Sequence, residues 1–168
     1  MASKLLINGT SAETFSPKAN VTRAEFASIL ARSLGLTSQA TASFTDVPSG
    51  AWYADDVAAA YEAGLIQGTG NGKFDPNAPL TREQLSVILS KAISLLNIST
   101  SNLSHTTYED TSKVSGYAKD SVQAVTEAGL MQGEIANGIS YFRPGAITSR
   151  DMAAATIWQL LVKAQMVE

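Results

Sequence analysis

Apolar residues recur at helical spacing in three stretches of the chain. Phe26, Ile29, Leu30 and Leu34 fall at i, i+3, i+4 and i+8, one stripe of a helix. Leu85, Ile88, Leu89, Ala92, Ile93 and Leu96 repeat the pattern, and Ala153, Ile157, Leu160, Leu161 and Ala164 give it a third time. These stretches predict three core helices of similar length, the first closing on Gly35 as a C-cap. A second kind of helix is predicted from Trp52, Val57, Ala60, Tyr61 and Leu65, and again from Tyr117, Val122, Val125 and Leu130. Both end on Ala-Gly-Leu (63–65 and 128–130), where glycine accepts a left-handed backbone. The Ser/Thr/Asn/Ala-rich stretches 37–43 and 97–107 read as surface connections.

The helices belong to an internal repeat. Its template is a glycine turn, then Phe-x-Pro, then an arginine eight residues past the phenylalanine. It occurs as Gly9…Phe15-Ser16-Pro17…Arg23, Gly68…Phe74-Asp75-Pro76…Arg82, and Gly133…Phe142-Arg143-Pro144…Arg150. A repeat of this kind implies small units that cannot bury their apolar faces alone. It points to a multisite binding module rather than one catalytic centre. The third unit is longer, with one residue added between Asp110 and Tyr117 and three between Gly133 and Phe142. The first is short: Lys4–Gly9 matches Ala63–Gly68, so the helix that should precede the turn is expected to be missing. The apolar surface it would cover is then exposed, rearranged or filled by another chain.

Thr22-Arg23-Ala24-Glu25 has the form of a capping box, and Thr81-Arg82-Glu83-Gln84 keeps it. Ser149-Arg150-Asp151-Met152 retains the cap but loses the reciprocal acceptor. Each arginine is placed at the first helical residue, where amide dipoles favour negative charge and a guanidinium fork fits a carboxylate or phosphate. The glycine turns could add backbone amides to the same spot. The competing reading pairs these arginines internally with Asp46 or Asp110. Trp52 and Tyr117 are either core aromatics or sugar platforms.

Composition narrows the chemistry. The 168 residues are 45% hydrophobic and 16% charged, a globular balance. The net charge of −3, with no long basic run, gives nucleic-acid binding little support. Cysteine is absent, which removes disulfides, thiolate metal sites and cysteine nucleophiles. No apolar run approaches the roughly 20 residues of a membrane span. Asn71, Asp75 and Asn77 lack the acidic residue that closes a calcium loop, and His105 has no partner in its linker. No metal or cofactor is expected. Glu25 becomes Gln84 and then Met152, which suits a degradable cap and not a catalytic acid, so the chain is read as a non-enzyme.

Phe44-x-Asp46-Val47…Trp52…Ala63-Gly64-Leu65-Ile66…Gly68…Gly70…Gly72-x-Phe74-x-Pro76…Leu80-Thr81-Arg82-Glu83 resembles a full S-layer homology repeat, and Thr22-Arg23-Ala24-Glu25 matches that family's signature. The resemblance covers nearly the whole chain. It implies an all-α, pseudo-threefold helical repeat domain with a central three-helix bundle and peripheral prong helices. Residues 1–168 then form one domain, with a partial repeat at 1–36, a second at 44–97 and a third at 108–168. It further implies an extracellular anchor in the cell wall or S-layer that binds a secondary cell-wall polysaccharide. The bound unit would be a ketal-pyruvate N-acetylmannosamine, held in grooves between repeats. Carried over by position, the ligand-binding residues are Arg23, Arg82 and Arg150, with Gly9, Gly68, Gly133, Asp46, Trp52, Asp110 and Tyr117. The losses in unit three lead to the expectation that grooves around Arg23 or Arg82 are competent and the one at Arg150 is weaker. A protein–protein scaffold, with a homo-oligomer or domain swap through the short first repeat, is the rival reading.

Overall fold

The computed structural model describes residues 16–40, 44–100 and 106–167. The fold is all-α. Its helices are α1 (Arg23–Ser33), α2 (Ala54–Glu62), α3 (Arg82–Leu95), α4 (Lys119–Glu127) and α5 (Arg150–Lys163). Two short strands, β1 (Glu134–Ala136) and β2 (Ile139–Tyr141), form the one sheet among the described residues.

Local chemistry accounts for the helix ends. At α1 the Thr22 hydroxyl accepts from Glu25 N–H at 3.2 Å while Thr22 N–H donates to the Glu25 carboxylate at 2.8 Å. Thr81 and Gln84 close the same box on α3. At α5 the Asp151 carboxylate instead accepts from the Ser149 hydroxyl and from Met152 N–H, as the loss of an acceptor at Met152 requires. Helices α2 and α4 have no side-chain cap and carry Asp55, Asp56 and Asp120 in their first turns, where carboxylates favour the helix dipole. Gly35, Gly64 and Gly129 terminate their helices with φ of 65°, 73° and 66°, as expected.

Two compact units are formed. The first holds the described residues up to Leu80 together with Ser149–Ile157; the second holds the described residues of 81–148 and those from 158 to 167. In the first, α1 packs on α2 around Phe26, Leu30, Val57, Leu65 and Phe74. In the second, α3 packs on α4 around Leu85, Leu89, Val125 and Phe142. Each unit therefore joins the core helix of one sequence repeat to the outer helix of the next.

The insertion in the third repeat becomes a β-hairpin. Glu134 pairs with Tyr141 and Ala136 with Ile139, and Asn137-Gly138 turns the chain with φ of 52° and 77°. The extra residue before Tyr117 falls in a segment with a 3-10 turn at Thr111–Lys113.

Candidate functional site: arginine clamps and exposed aromatics

Each Phe-x-Pro segment forces its middle residue into the left-handed region: Ser16, Asp75 and Arg143 have φ of 48°, 54° and 56°. Non-glycine residues adopt this conformation at a cost and need support. In the first unit Asp46 supplies it, its two oxygens accepting from Phe74 N–H and Asp75 N–H, both at 2.8 Å. Arg23 holds the same phenylalanine from the other side, donating from Nε to Phe74 O at 2.8 Å and from Nη2 to Gln67 O at 2.9 Å. Its guanidinium carbon lies 4.7 Å from the Phe74 ring centre.

The second unit repeats this geometry. Asp110 accepts from Phe142 N–H at 2.8 Å and Arg143 N–H at 2.7 Å. Arg82 donates to Phe142 O and Gln132 O, both at 2.8 Å, with its guanidinium 4.9 Å from the Phe142 ring centre. Arg82 is 4% exposed and Asp110 is buried as well. Each aspartate and its arginine thus hold one peptide segment from two sides, the carboxylate on its amides and the guanidinium on its phenylalanine carbonyl. Neither alternative in the sequence reading anticipated that arrangement.

Electrostatics follow from burial. Burial acts to raise the Asp46 carboxyl, and the two amides it accepts from outweigh that, holding it below its usual value. Burial lowers Arg82 from its usual value, while Glu134, Tyr108 and Asp110 act in the opposite direction. Arg150 differs from the other two: its Nη1 lies 3.2 Å from the Glu25 carboxylate, and the residue is buried. The segment that would correspond to Phe74 begins at Phe15, and Gly9 lies with it outside the described residues.

The mouths of the core helices are not open to a ligand's anion. Arg23 N–H donates to Ala78 O and Ala24 N–H to Pro76 O; Arg82 and Glu83 do the same to Ala146 and Pro144. Arg150 and Asp151 use Ala19 and Pro17. Protein carbonyls take up the first amides of these helices, which corrects the expectation of a dipole-favoured anion site there. The Gly68 turn is closed in the same way, with Thr69 N–H on Lys73 O and Lys73 N–H on Gly70 O. Gly68 and Gly133 are required for closeness: a Cβ on Gly68 would sit 2.6 Å from Lys73 O and 2.8 Å from Phe44 Cε1, and one on Gly133 would collide with Tyr108.

Trp52 and Tyr117 are exposed and not core residues, at 61% and 63%. The Trp52 ring packs edge-on against Tyr53, and the Arg32 guanidinium carbon lies 5.9 Å from the Trp52 ring centre. Arg32 also pairs with Asp56 at 2.7 Å, a residue set that sequence reading passed over. Tyr117 donates its hydroxyl to Glu83 at 3.1 Å, and Glu83 accepts from Ser115 N–H and its hydroxyl at 3.0 and 2.8 Å. The spacing of Arg32 on α1 was the available signal, since it falls on the face turned toward α2.

Residues 1–27, 43–86 and 107–151 match the model of the S-layer homology domain. Over 97% of its length the chain is 34% identical to an exoglucanase of Acetivibrio thermocellus, and over 94% it is 39% identical to an endoglucanase of Bacillus sp. strain KSM-635. It is 34% identical over 88% of its length to a surface-layer 125 kDa protein of Lysinibacillus sphaericus. The chain spans only 15%, 16% and 12% of these three proteins. The three matched segments coincide with the repeat, and the chain belongs to the S-layer homology domain family, as a non-catalytic anchoring module of the bacterial cell surface.

Proposed function

We propose that the module anchors its parent protein by binding an acidic secondary wall polysaccharide, with a ketal-pyruvate N-acetylmannosamine as the recognised unit. One observation carries this reading: two exposed aromatic rings, Trp52 and Tyr117, stand at matching places beside packed helix pairs. An exposed aromatic face on a rigid segment costs little entropy to bind and suits the C–H face of a sugar. In this reading Trp52 with Arg32 forms one recognition surface and Tyr117 with α3 another. Arg23, Arg82 and Arg150 serve both as local positive charge and as positioning residues. Asp46 and Asp110, with the turns at Gly68 and Gly133, shape the segments beneath the ligand. Residues 1–168 act as one non-catalytic module built from repeats at 1–36, 44–97 and 108–168.

The test is binding to purified wall sacculi before and after removal of the secondary polymer, and separately of its pyruvate. Binding should disappear with the polymer, fall with the pyruvate, and fall in Trp52→Ala and Tyr117→Ala. Unchanged binding to stripped sacculi would refute the reading.

A scaffold role has one observation in its favour. The hairpin of the third repeat exposes Ile135 and Ile139, at 78% and 43%. If self-assembly is the function, Ile135→Ser should abolish association while leaving wall binding intact.

A further inference from the structure

The two helix pairs can be aligned by residue position, counting from the ends of their helices. α1 and α3 both begin at the repeat arginine, so Arg32 and Lys91 are each the tenth helical residue. α2 and α4 are both nine residues long, so Asp56 and Ser121 are each the third. In the first pair these two places hold an ion pair, Arg32 to Asp56 at 2.7 Å. In the second pair the cation is kept as lysine, but serine replaces the carboxylate.

The consequence is a cation with no counter-ion among the described residues. Lys91 is half-buried, and no hydrogen bond or ion pair joins its ammonium to a described residue. Burial alone lowers its pKa, with no carboxylate acting against it. Glu83, the acid on the same helix, is committed to Ser115 and to the hydroxyl of Tyr117. A half-buried ammonium facing no carboxylate is costly, and an incoming anion offsets that cost. In the first pair Asp56 already fills this role.

We propose that Lys91, on α3 of the second pair, is the cation that receives the anionic substituent of the wall glycan, while the matching Arg32 is held neutralised by Asp56. The proposal rests on the wall-polymer reading above and adds to it which helix pair takes the charged group. It also assigns the acidic specificity to a residue outside the repeat signature.

The intact chain is titrated with two probes: the methyl glycoside of ketal-pyruvate N-acetylmannosamine, and the same sugar without pyruvate. Lys91→Gln should weaken the acidic probe on the order of tenfold, the worth of one charge-assisted bond, and leave the neutral one unchanged. Lys91→Arg should restore binding. Asp56→Ser should create a second acidic site by releasing Arg32, a gain that no folding defect could produce. Spectra of isotopically labelled lysines should show the Lys91 ε-CH2 signal moving with the acidic probe only. Glycerol phosphate serves as a third probe. Lys91-dependent binding as tight as the ketal's would give the site to a phosphate-bearing glycan, with the same cation at work.

Equal affinity of Lys91→Gln and the unsubstituted chain for the acidic probe overturns the proposal while the wall-polymer reading stands. So does an equal loss for acidic and neutral probes, which would mark a packing role. If the unsubstituted chain binds neither sugar and shows no polymer-dependent retention on sacculi, the wall-polymer reading fails and this proposal falls with it.

Discussion

Replacing Arg82 with methionine keeps an unbranched apolar stem of similar length and removes the guanidinium. Two carbonyls lose their donor. Phe142 O is buried and should contribute about 1–3 kcal/mol to the loss, the cost of an orphaned acceptor. Gln132 O is only partly buried, so water replaces some of its bond and about 1 kcal/mol is expected. Loss of the stacking on Phe142 adds roughly 0.5–2 kcal/mol. Against this, burial already disfavours the charged guanidinium, and its removal returns part of the desolvation cost. The balance is a loss of about 2–4 kcal/mol, or a fall in Tm of about 5–12 °C for a chain of this size. Arg23→Met is the internal control: its bond to Gln67 O is exposed, so its loss should be smaller by about half. The assay is urea unfolding followed by circular dichroism, with thermal melts and sacculus binding on the same samples. A loss below about 1 kcal/mol at unchanged m-value would refute the view that the clamp stabilises the fold. Full stability with abolished wall binding would show that the arginine acts on the ligand directly.

Gly68→Ala should cost about 1–3 kcal/mol, since its methyl would overlap a backbone carbonyl that cannot swing away; a change within about 0.5 kcal/mol in urea would refute the close-packing account. Thr81→Ala should lower stability by about 1 kcal/mol through loss of the α3 cap, and Thr81→Ser should recover most of it. Asp46 is held below its unfolded value, so its contribution is present above about pH 4 and is lost as pH falls through the folded value. Acid titration of stability should therefore be flatter in Asp46→Asn than in the unsubstituted chain, and parallel curves would contradict the two-amide geometry.

The helices were legible in the sequence because helix formation is decided within a few residues. The apolar stripes marked α1, α3 and α5, the capping boxes at Thr22 and Thr81 marked where two of them begin, and Gly64 and Gly129 marked where α2 and α4 end. Placing each arginine at the first helical residue was also a local inference. Where those arginines turn was not local: Arg23 reaches a carbonyl 51 residues away and Arg82 one 60 residues away. The exposure of Trp52 and Tyr117, against the helical pattern that counted them with the apolar set, depends on which distant segments leave them uncovered. The need for glycine at 68 and 133 comes partly from nearby chain, such as Lys73 O, and partly from Phe44 and Tyr108, aromatic rings brought up by folding. Periodicity and capping thus set the helices of this chain, while packing decided which charges face protein, because burial and pairing belong to neighbours that only the folded backbone brings together.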